Sequence, residues 1–84
     1  MRYTVTSSSE VDGKLALIWL RASDQASVTD AANRIDALLR ASPGEHGHSF
    51  GQLRILRIDP LIVVYSVSRD DCLVKILDYF YVGK

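Results

Sequence analysis

The apolar residues of this chain change their spacing near Gly51, and this change limits the fold more than any other feature. From Val11 to Leu39 they recur every three or four positions, which is the period of a helix. After Gly51 they alternate with polar residues or form short β-branched runs, which is typical of strands. The 84 residues provide for one hydrophobic core. We therefore expect a single α+β domain over residues 1–84.

Two helices are predicted to follow a short first strand. Tyr3 and Val5 alternate with polar residues, and three serines stop this pattern. Ser9, with Asp12 three positions later, is predicted to cap the first helix. The break at Ser23-Asp24 before the second helix is short. A break this short predicts that the two helices lie side by side as a hairpin.

Three strands are predicted after the helices. A Ser-Pro-Gly sequence at 42–44 ends the second helix, and a polar loop is expected up to Ser49. Short turns join the strands, so consecutive strands must be antiparallel. The predicted fold is a strand, a two-helix hairpin and a three-stranded antiparallel meander, with strands at about 53–58, 61–68 and 72–82.

Apolar residues are predicted on both faces of this sheet. In the last strand, simple alternation places Val74, Ile76 and Phe80 on one face and Tyr79 and Tyr81 on the other. The helix hairpin covers only one face. A second polypeptide, either a copy forming a homodimer or a different protein, is therefore expected to shield the apolar residues that remain: Leu56, Ile58, Ile62, Val64, Leu73 and Leu77 on the strands, and Leu17 and Leu20 on the first helix.

The composition argues against several classes of protein. Ten basic and ten acidic residues give no net charge, so bulk charge gives no support to nucleic-acid binding. The longest apolar runs, such as Leu61 to Tyr65, are far shorter than the roughly twenty residues that cross a bilayer. The single cysteine, Cys72, forms no internal disulfide, which fits a reducing compartment. We expect a cytoplasmic protein that contacts no membrane.

Few residues suggest chemistry. His46 and His48, beside Glu45, resemble half of a metal site or a general base, but no second ligand cluster accompanies them, and we predict no metal or cofactor. Arg54 and Arg57 lie three positions apart in one strand, so they point to opposite faces. If Leu53 and Ile55 pack on the helices, Arg54 lies on the open face of the sheet. If the strand is turned the other way, so that Leu53 and Ile55 face outward, Arg57 lies on the open face.

The local sequences resemble a known family. The segments VTDAANRIDALLRASP, FGQLRILRIDPLIVVYSV and LVKILDYFY, in this order, are similar to the RelE/ParE superfamily of toxins from bacterial type II toxin–antitoxin systems. The resemblance covers essentially the whole chain and implies the same fold. In that superfamily one branch cuts messenger RNA in the ribosome and another poisons DNA gyrase. An antitoxin protein silences both, so the resemblance implies an antitoxin partner and a role in plasmid stabilization.

The resemblance assigns candidate residues. Arg54 matches a basic residue on the first strand after the helices in nuclease members, and Tyr79 or Tyr81 would serve as the proton donor or acceptor. Those members have a tyrosine and an arginine where this chain has Leu61 and Ile62, and a basic residue where it has Asp78. We therefore expect a toxin that acts by protein binding, like the gyrase inhibitors, or a catalytically lapsed relative. The alternative is a ribosome-dependent endoribonuclease that uses Arg54, Tyr79 and Tyr81.

Overall fold

The computed structural model describes residues 2–82 and confirms the α+β class. Two helices follow the first strand, and four further strands follow the helices. The elements are β1 (Thr4–Ser7), α1 (Ser9–Arg21), α2 (Gln25–Ala41), β2 (His48–Phe50), β3 (Leu53–Ile58), β4 (Leu61–Ser68) and β5 (Leu73–Tyr81). No helix within these residues is long and apolar enough to cross a membrane.

Both helices begin at a side-chain cap. The cap of α1 is Ser8 and not Ser9 as predicted, and its hydroxyl accepts a hydrogen bond of 3.2 Å from the Val11 amide. Three consecutive serines make the position ambiguous in the sequence, because each offers the same hydroxyl. Asp24 caps α2 by accepting from the amide of Ser27 at 3.1 Å. The cap at Asp24 explains why the chain interrupts its helical pattern there.

The five strands form one sheet in the order β1-β5-β4-β3-β2. The antiparallel meander of β3, β4 and β5 is confirmed, and β1 lies parallel to β5 at one edge. The prediction of a loop up to Ser49 was wrong, because His48–Phe50 forms β2 and pairs with β3. Gly51 has a φ of 63°, a left-handed conformation that lets the chain reverse tightly between these two strands.

The core lies between the helix hairpin and one face of the sheet, which we call the inner face. Two residues predicted to be uncovered belong to this core: Leu56 is buried and Ile58 packs against the buried residues. The buried residues are Val11, Val28, Ala31, Ile35 and Leu39 from the helices, and Leu56, Leu61, Val63, Tyr65, Val74, Ile76 and Tyr79 from the strands.

A β-bulge changes which side of β5 faces the core. Tyr65 pairs with Ile76 but its neighbour Val64 pairs with Asp78, so Leu77 is an extra residue in β5. Beyond it, Tyr79 lies on the inner face with Ile76, and Phe80 lies on the other side. The alternation predicted for Phe80 and Tyr79 was therefore wrong, because one inserted residue reverses every later side chain.

The opposite face of the sheet, which we call the outer face, has no covering element among residues 2–82. Its apolar side chains come from β2, β3, β4 and β5, and most of them are half-buried. Phe50 at the edge is 72% exposed and Phe80 is 45% exposed. The predictions of uncovered apolar residues on this face and on α1 are otherwise supported, since Leu77 is exposed at the bulge and Leu17 and Leu20 are exposed on α1. The apolar residues of the outer face are Phe50, Leu53, Ile55, Ile62, Val64, Leu73 and Phe80.

Candidate functional site

The loop after α2 is held against the inner face by two side chains from the sheet. The buried hydroxyl of Tyr65 lies 2.9 Å from the Pro43 carbonyl oxygen and 3.0 Å from that of His46. The Arg54 guanidinium donates to the same His46 oxygen from Nε at 3.2 Å and from Nη2 at 3.0 Å, and Nη2 also lies 3.4 Å from the Gly47 oxygen. The His46 carbonyl is thus the point at which the strands fix the loop.

The backbone of this loop requires a glycine at 47. Gly47 has a φ of 75°, and a Cβ placed there would lie 2.5 Å from the carbonyl oxygen of Ile55. A side chain at this position would push the loop away from β3. The close approach of Gly47 to β3 therefore brings the loop carbonyls within reach of Arg54.

The register decides between the two alternatives for the arginines. Arg54 pairs with the buried Tyr65, so it lies on the inner face, beyond the end of α2. Arg57 pairs with Ile62 on the outer face and donates from Nε to Asp59 at 2.6 Å. Leu53 and Ile55 therefore face outward, and Arg57 is the arginine on the open face.

A small polar cleft of about 180 Å³ lies beside Arg54. Arg69, at the turn between β4 and β5, forms another part of its wall. Nothing in the sequence singles out Arg69, because 15 positions separate it from Arg54 and no motif links the two. The remaining lining residues are Gly44, Ser49, Gly51, Gln52, Leu53 and Val67.

The two candidate tyrosines lie elsewhere on the inner face. Tyr79 is buried, and its burial, followed by the negative charges of Asp12 and Asp36, raises the pKa of its phenol to about 12. Tyr81 is half-buried beside α1, where Ile18 and Leu17 line a shallow groove with it. Both belong to β5, which β4 separates from the strand of Arg54. The structure does not bring either phenol into the cleft with Arg54.

Asp78 is engaged in tying α1 to β5. Lys14 donates to its Oδ1 at 2.6 Å, and the lysine Nζ lies 4.4 Å from the centroid of the Phe80 ring. The hydrogen bond from Lys14 is the main cause that lowers the pKa of Asp78, with a smaller contribution from the Tyr79 amide. Asp78 therefore remains ionised and serves as a structural contact.

The other residues considered in the sequence analysis do not come together in a catalytic or metal site among residues 2–82. Leu61 is buried in the core and Ile62 lies on the outer face, so neither offers a polar group. His46 contacts the Ser42 hydroxyl at 3.2 Å, whereas His48 is exposed on β2. Across residues 2–82, no three His, Cys, Asp or Glu side chains come together in a group that could hold a metal ion.

An apolar groove of about 480 Å³ runs between the two helices. Trp19 forms one wall, and its indole Nε1 donates to the Thr29 hydroxyl at 3.0 Å. Leu15, Ala16 and Ala32 contribute further apolar surface. The groove is a second apolar surface besides the outer face.

Three solved structures share this architecture. The RelBE2 toxin–antitoxin complex from Mycobacterium tuberculosis matches with a TM-score of 0.79 at 14% identity, over 96% of this chain and 99% of that chain. The archaeal RelE–RelB complex from Pyrococcus horikoshii matches with a TM-score of 0.66 at 22% identity, over 100% and 99% of the two chains. The isolated RelE toxin of E. coli gives 0.62 at 8% identity, over 98% and 86%.

The sequence comparisons found no counterpart to these matches. No protein-family model matches the sequence. No curated protein matches it either. Because the likeness covers nearly the whole of both chains in the first two structures, the chain has the RelE-like fold that its local sequences resemble.

Proposed function

We propose that this chain, with its RelE-like fold, is the toxin of a type II toxin–antitoxin pair and is neutralised by an antitoxin protein. The observation that carries the proposal is the fold itself, which matches the RelBE2 toxin–antitoxin complex over 96% of this chain. The archaeal match is likewise a complex, of RelE with RelB. A toxin of this kind acts in the cytoplasm, and its pairing with an antitoxin is the arrangement that stabilises plasmids.

The uncovered apolar surface supports a protein partner. Phe50 and Phe80 are exposed on the outer face, and Leu20 on α1 is 63% exposed. On the outer face Phe50 pairs with Leu53 and Phe80 pairs with Ile62, so apolar side chains adjoin one another there. Such surfaces are typical of protein interaction sites, because burying them removes apolar surface from water. A domain of this size also gains stability when a partner binds only its folded form.

We propose further that the toxin acts by binding a protein target, as the gyrase inhibitors do, or that it has lapsed from catalysis. The buried Tyr79 supports this, because a phenol whose pKa is raised to about 12 is a poor general acid or base at neutral pH. Neither Tyr79 nor Tyr81 lines the cleft of Arg54, so neither candidate phenol accompanies the arginine there. The ribosome-dependent endoribonuclease remains the alternative outcome of the test.

The first experiment expresses the full chain from a tightly controlled promoter in bacteria. We expect growth to stop on induction, and co-expression of the protein encoded by the neighbouring reading frame to restore it. Growth that continues unchanged, with the folded chain present at high level, would overturn the assignment as a toxin. Failure of the neighbouring protein to bind the purified chain would overturn the pairing.

A second experiment separates the two mechanisms. The purified chain is added to a translating extract, and the message ends are mapped; in parallel, it is added to purified DNA gyrase, and supercoiling is followed. We expect no new message ends, with supercoiling inhibited if gyrase is the target. Cuts at codon boundaries that persist in Arg57→Gln but vanish in Arg54→Lys and Tyr79→Phe would establish the nuclease instead, provided that all three variants retain the native circular dichroism spectrum.

A further inference from the structure

We propose that the cleft between Arg54 and Arg69 binds one isolated oxyanion group, either a carboxylate or a phosphate monoester. Both arginines line this cleft on the inner face of the sheet. Neither forms an ion pair with a carboxylate within residues 2–82. Two guanidinium groups that face one polar cleft without acidic partners provide positive charge and several N–H donors for an anion.

Arg54 is held in position by hydrogen bonds to the loop after α2. Its Nε and Nη2 donate to the loop carbonyls of His46 and Gly47, which fixes the plane of the guanidinium. A guanidinium carries five N–H donors, so these contacts leave the Nη1 donors to a ligand. An arginine already ordered by such contacts loses less side-chain entropy when it binds an anion.

Arg69 is positioned by the turn that joins β4 and β5. The Cys72 amide donates to the Arg69 carbonyl at 3.3 Å, and the Ser68 hydroxyl donates to Asp71 at 3.1 Å. The guanidinium extends over Gly44, and its Nη2 would lie 3.1 Å from a Cβ placed on that glycine. The absence of a side chain at 44 therefore leaves room for the Arg69 guanidinium at the cleft.

The neighbouring carboxylates do not neutralise this charge directly. Glu45 lies in the adjoining depression, which Arg69 also lines, but the two side chains form no ion pair in the described part of the chain. Asp71 accepts from Ser68, and Asp70 is exposed. The cleft itself is lined by no acidic residue; its other polar side chains are Ser49 and Gln52.

The isolation of the two arginines favours a single anionic group over a nucleic-acid strand. The cleft, of about 180 Å³, has room for a carboxylate or a phosphate group. A strand would need a row of cations along its backbone. The next arginine of β3, Arg57, lies on the opposite face and is paired with Asp59, so the positive charge does not continue along the strand.

The test is a titration of the full chain, uniformly ¹⁵N-labelled, with sodium phosphate, sodium acetate and sodium chloride at equal ionic strength. We expect phosphate or acetate to shift the Gly44 and Gly51 amides saturably, with a Kd on the order of 1 mM. The stronger of the two identifies the preferred oxyanion. The exposed Arg69→Gln should weaken binding about fivefold or more, whereas the matched control Arg57→Gln should leave it unchanged.

Three results would overturn the proposal. One is a chloride response as large as those of phosphate and acetate, which would indicate general screening. Another is unchanged binding in Arg69→Gln, with the native spectrum retained. The third is tighter binding of a single-stranded oligonucleotide that Arg57→Gln also weakens, which would indicate an extended nucleic-acid surface. None of these results bears on growth arrest or on antitoxin binding, so this proposal fails separately from the proposed function.

Discussion

Removing the hydroxyl of Tyr65 tests directly how the sheet holds the loop after α2. The Tyr65→Phe variant removes one buried oxygen and preserves the ring, so it opens no large cavity. Tyr65 is fully buried, and its hydroxyl lies between the carbonyl oxygens of Pro43 and His46. The substitution therefore changes one hydrogen-bonding group and leaves the packing of the core in place.

The magnitude follows from which carbonyl loses its donor. A hydroxyl has one hydrogen, and the shorter contact, 2.9 Å, is to Pro43. In the variant, the His46 oxygen keeps its hydrogen bonds from Arg54. The buried Pro43 oxygen loses the hydrogen bond from the Tyr65 hydroxyl. Leaving a buried acceptor unsatisfied costs about 1–3 kcal/mol, and we take ~1.5 kcal/mol here. With an unfolding entropy of about 0.18 kcal/mol per kelvin for 84 residues, Tm should fall by roughly 8 °C.

Thermal and urea unfolding followed by circular dichroism measure this cost. The matched control is Tyr81→Phe, since the half-buried Tyr81 hydroxyl makes no side-chain hydrogen bond to the described residues; its Tm should change by less than about 2 °C. Arg54→Met combined with Tyr65→Phe should show a coupling of about 0.5 kcal/mol or more, because both side chains hold the same loop, Tyr65 at Pro43 and Arg54 at His46. Equal Tm losses in Tyr65→Phe and Tyr81→Phe would refute the role of the buried hydroxyl.

Three further predictions concern an ion pair, a buried phenol and a glycine. Lys14→Met should cost ~0.5 kcal/mol in unfolding free energy, since the ion pair with Asp78 is partly exposed. The pKa of Asp78 is lowered from 3.8, so this stabilisation is present above that pH and is lost as pH falls through the folded pKa; acid unfolding that is identical in Asp78→Asn would contradict it. The pKa of Tyr79 is raised from 10.0 to about 12, so stability should fall as pH rises through this interval, and urea unfolding of Tyr79→Phe should lack that fall. Gly47→Ala should cost at least ~2 kcal/mol because of its positive φ and the close Ile55 oxygen, whereas Gly13→Ala, in open space on α1, should stabilise by ~0.5–1 kcal/mol in the same unfolding assay.

The helices and most of the strands could be predicted from the sequence, because they depend on the spacing of apolar residues a few positions apart. Apolar residues at helical intervals predicted α1 and α2, and β-branched runs after Gly51 predicted the meander. The short turn between the strands predicted at about 53–58 and 61–68 and the break at Ser23-Asp24 were also placed correctly, since both rest on residues whose turn and capping preferences act within a few positions. The short segments that resemble RelE-like toxins extended this local information to the whole fold.

The sequence could not place side chains on the two faces of the sheet. Apolar residues occupy both faces of β3 and β4, so alternation alone was consistent with either register, and the two alternatives for Arg54 and Arg57 stayed open. The extra residue at Leu77 then reversed the faces of Tyr79 and Phe80. A bulge of this kind leaves no local signal, because it is set by how two strands fit across the sheet.

Local residue patterns were enough to predict the α+β class, the order of helices and meander, the exposed apolar residues of α1 and an uncovered sheet face. The folded structure was needed to show that Arg54 faces the core side, that Tyr79 is buried, that β2 pairs with β3, and that Arg69 lines the same cleft as Arg54. The difference is physical. Helix and strand periods arise between residues a few positions apart, whereas the faces and the cleft arise from strand pairing, which joins residues that are distant in the chain.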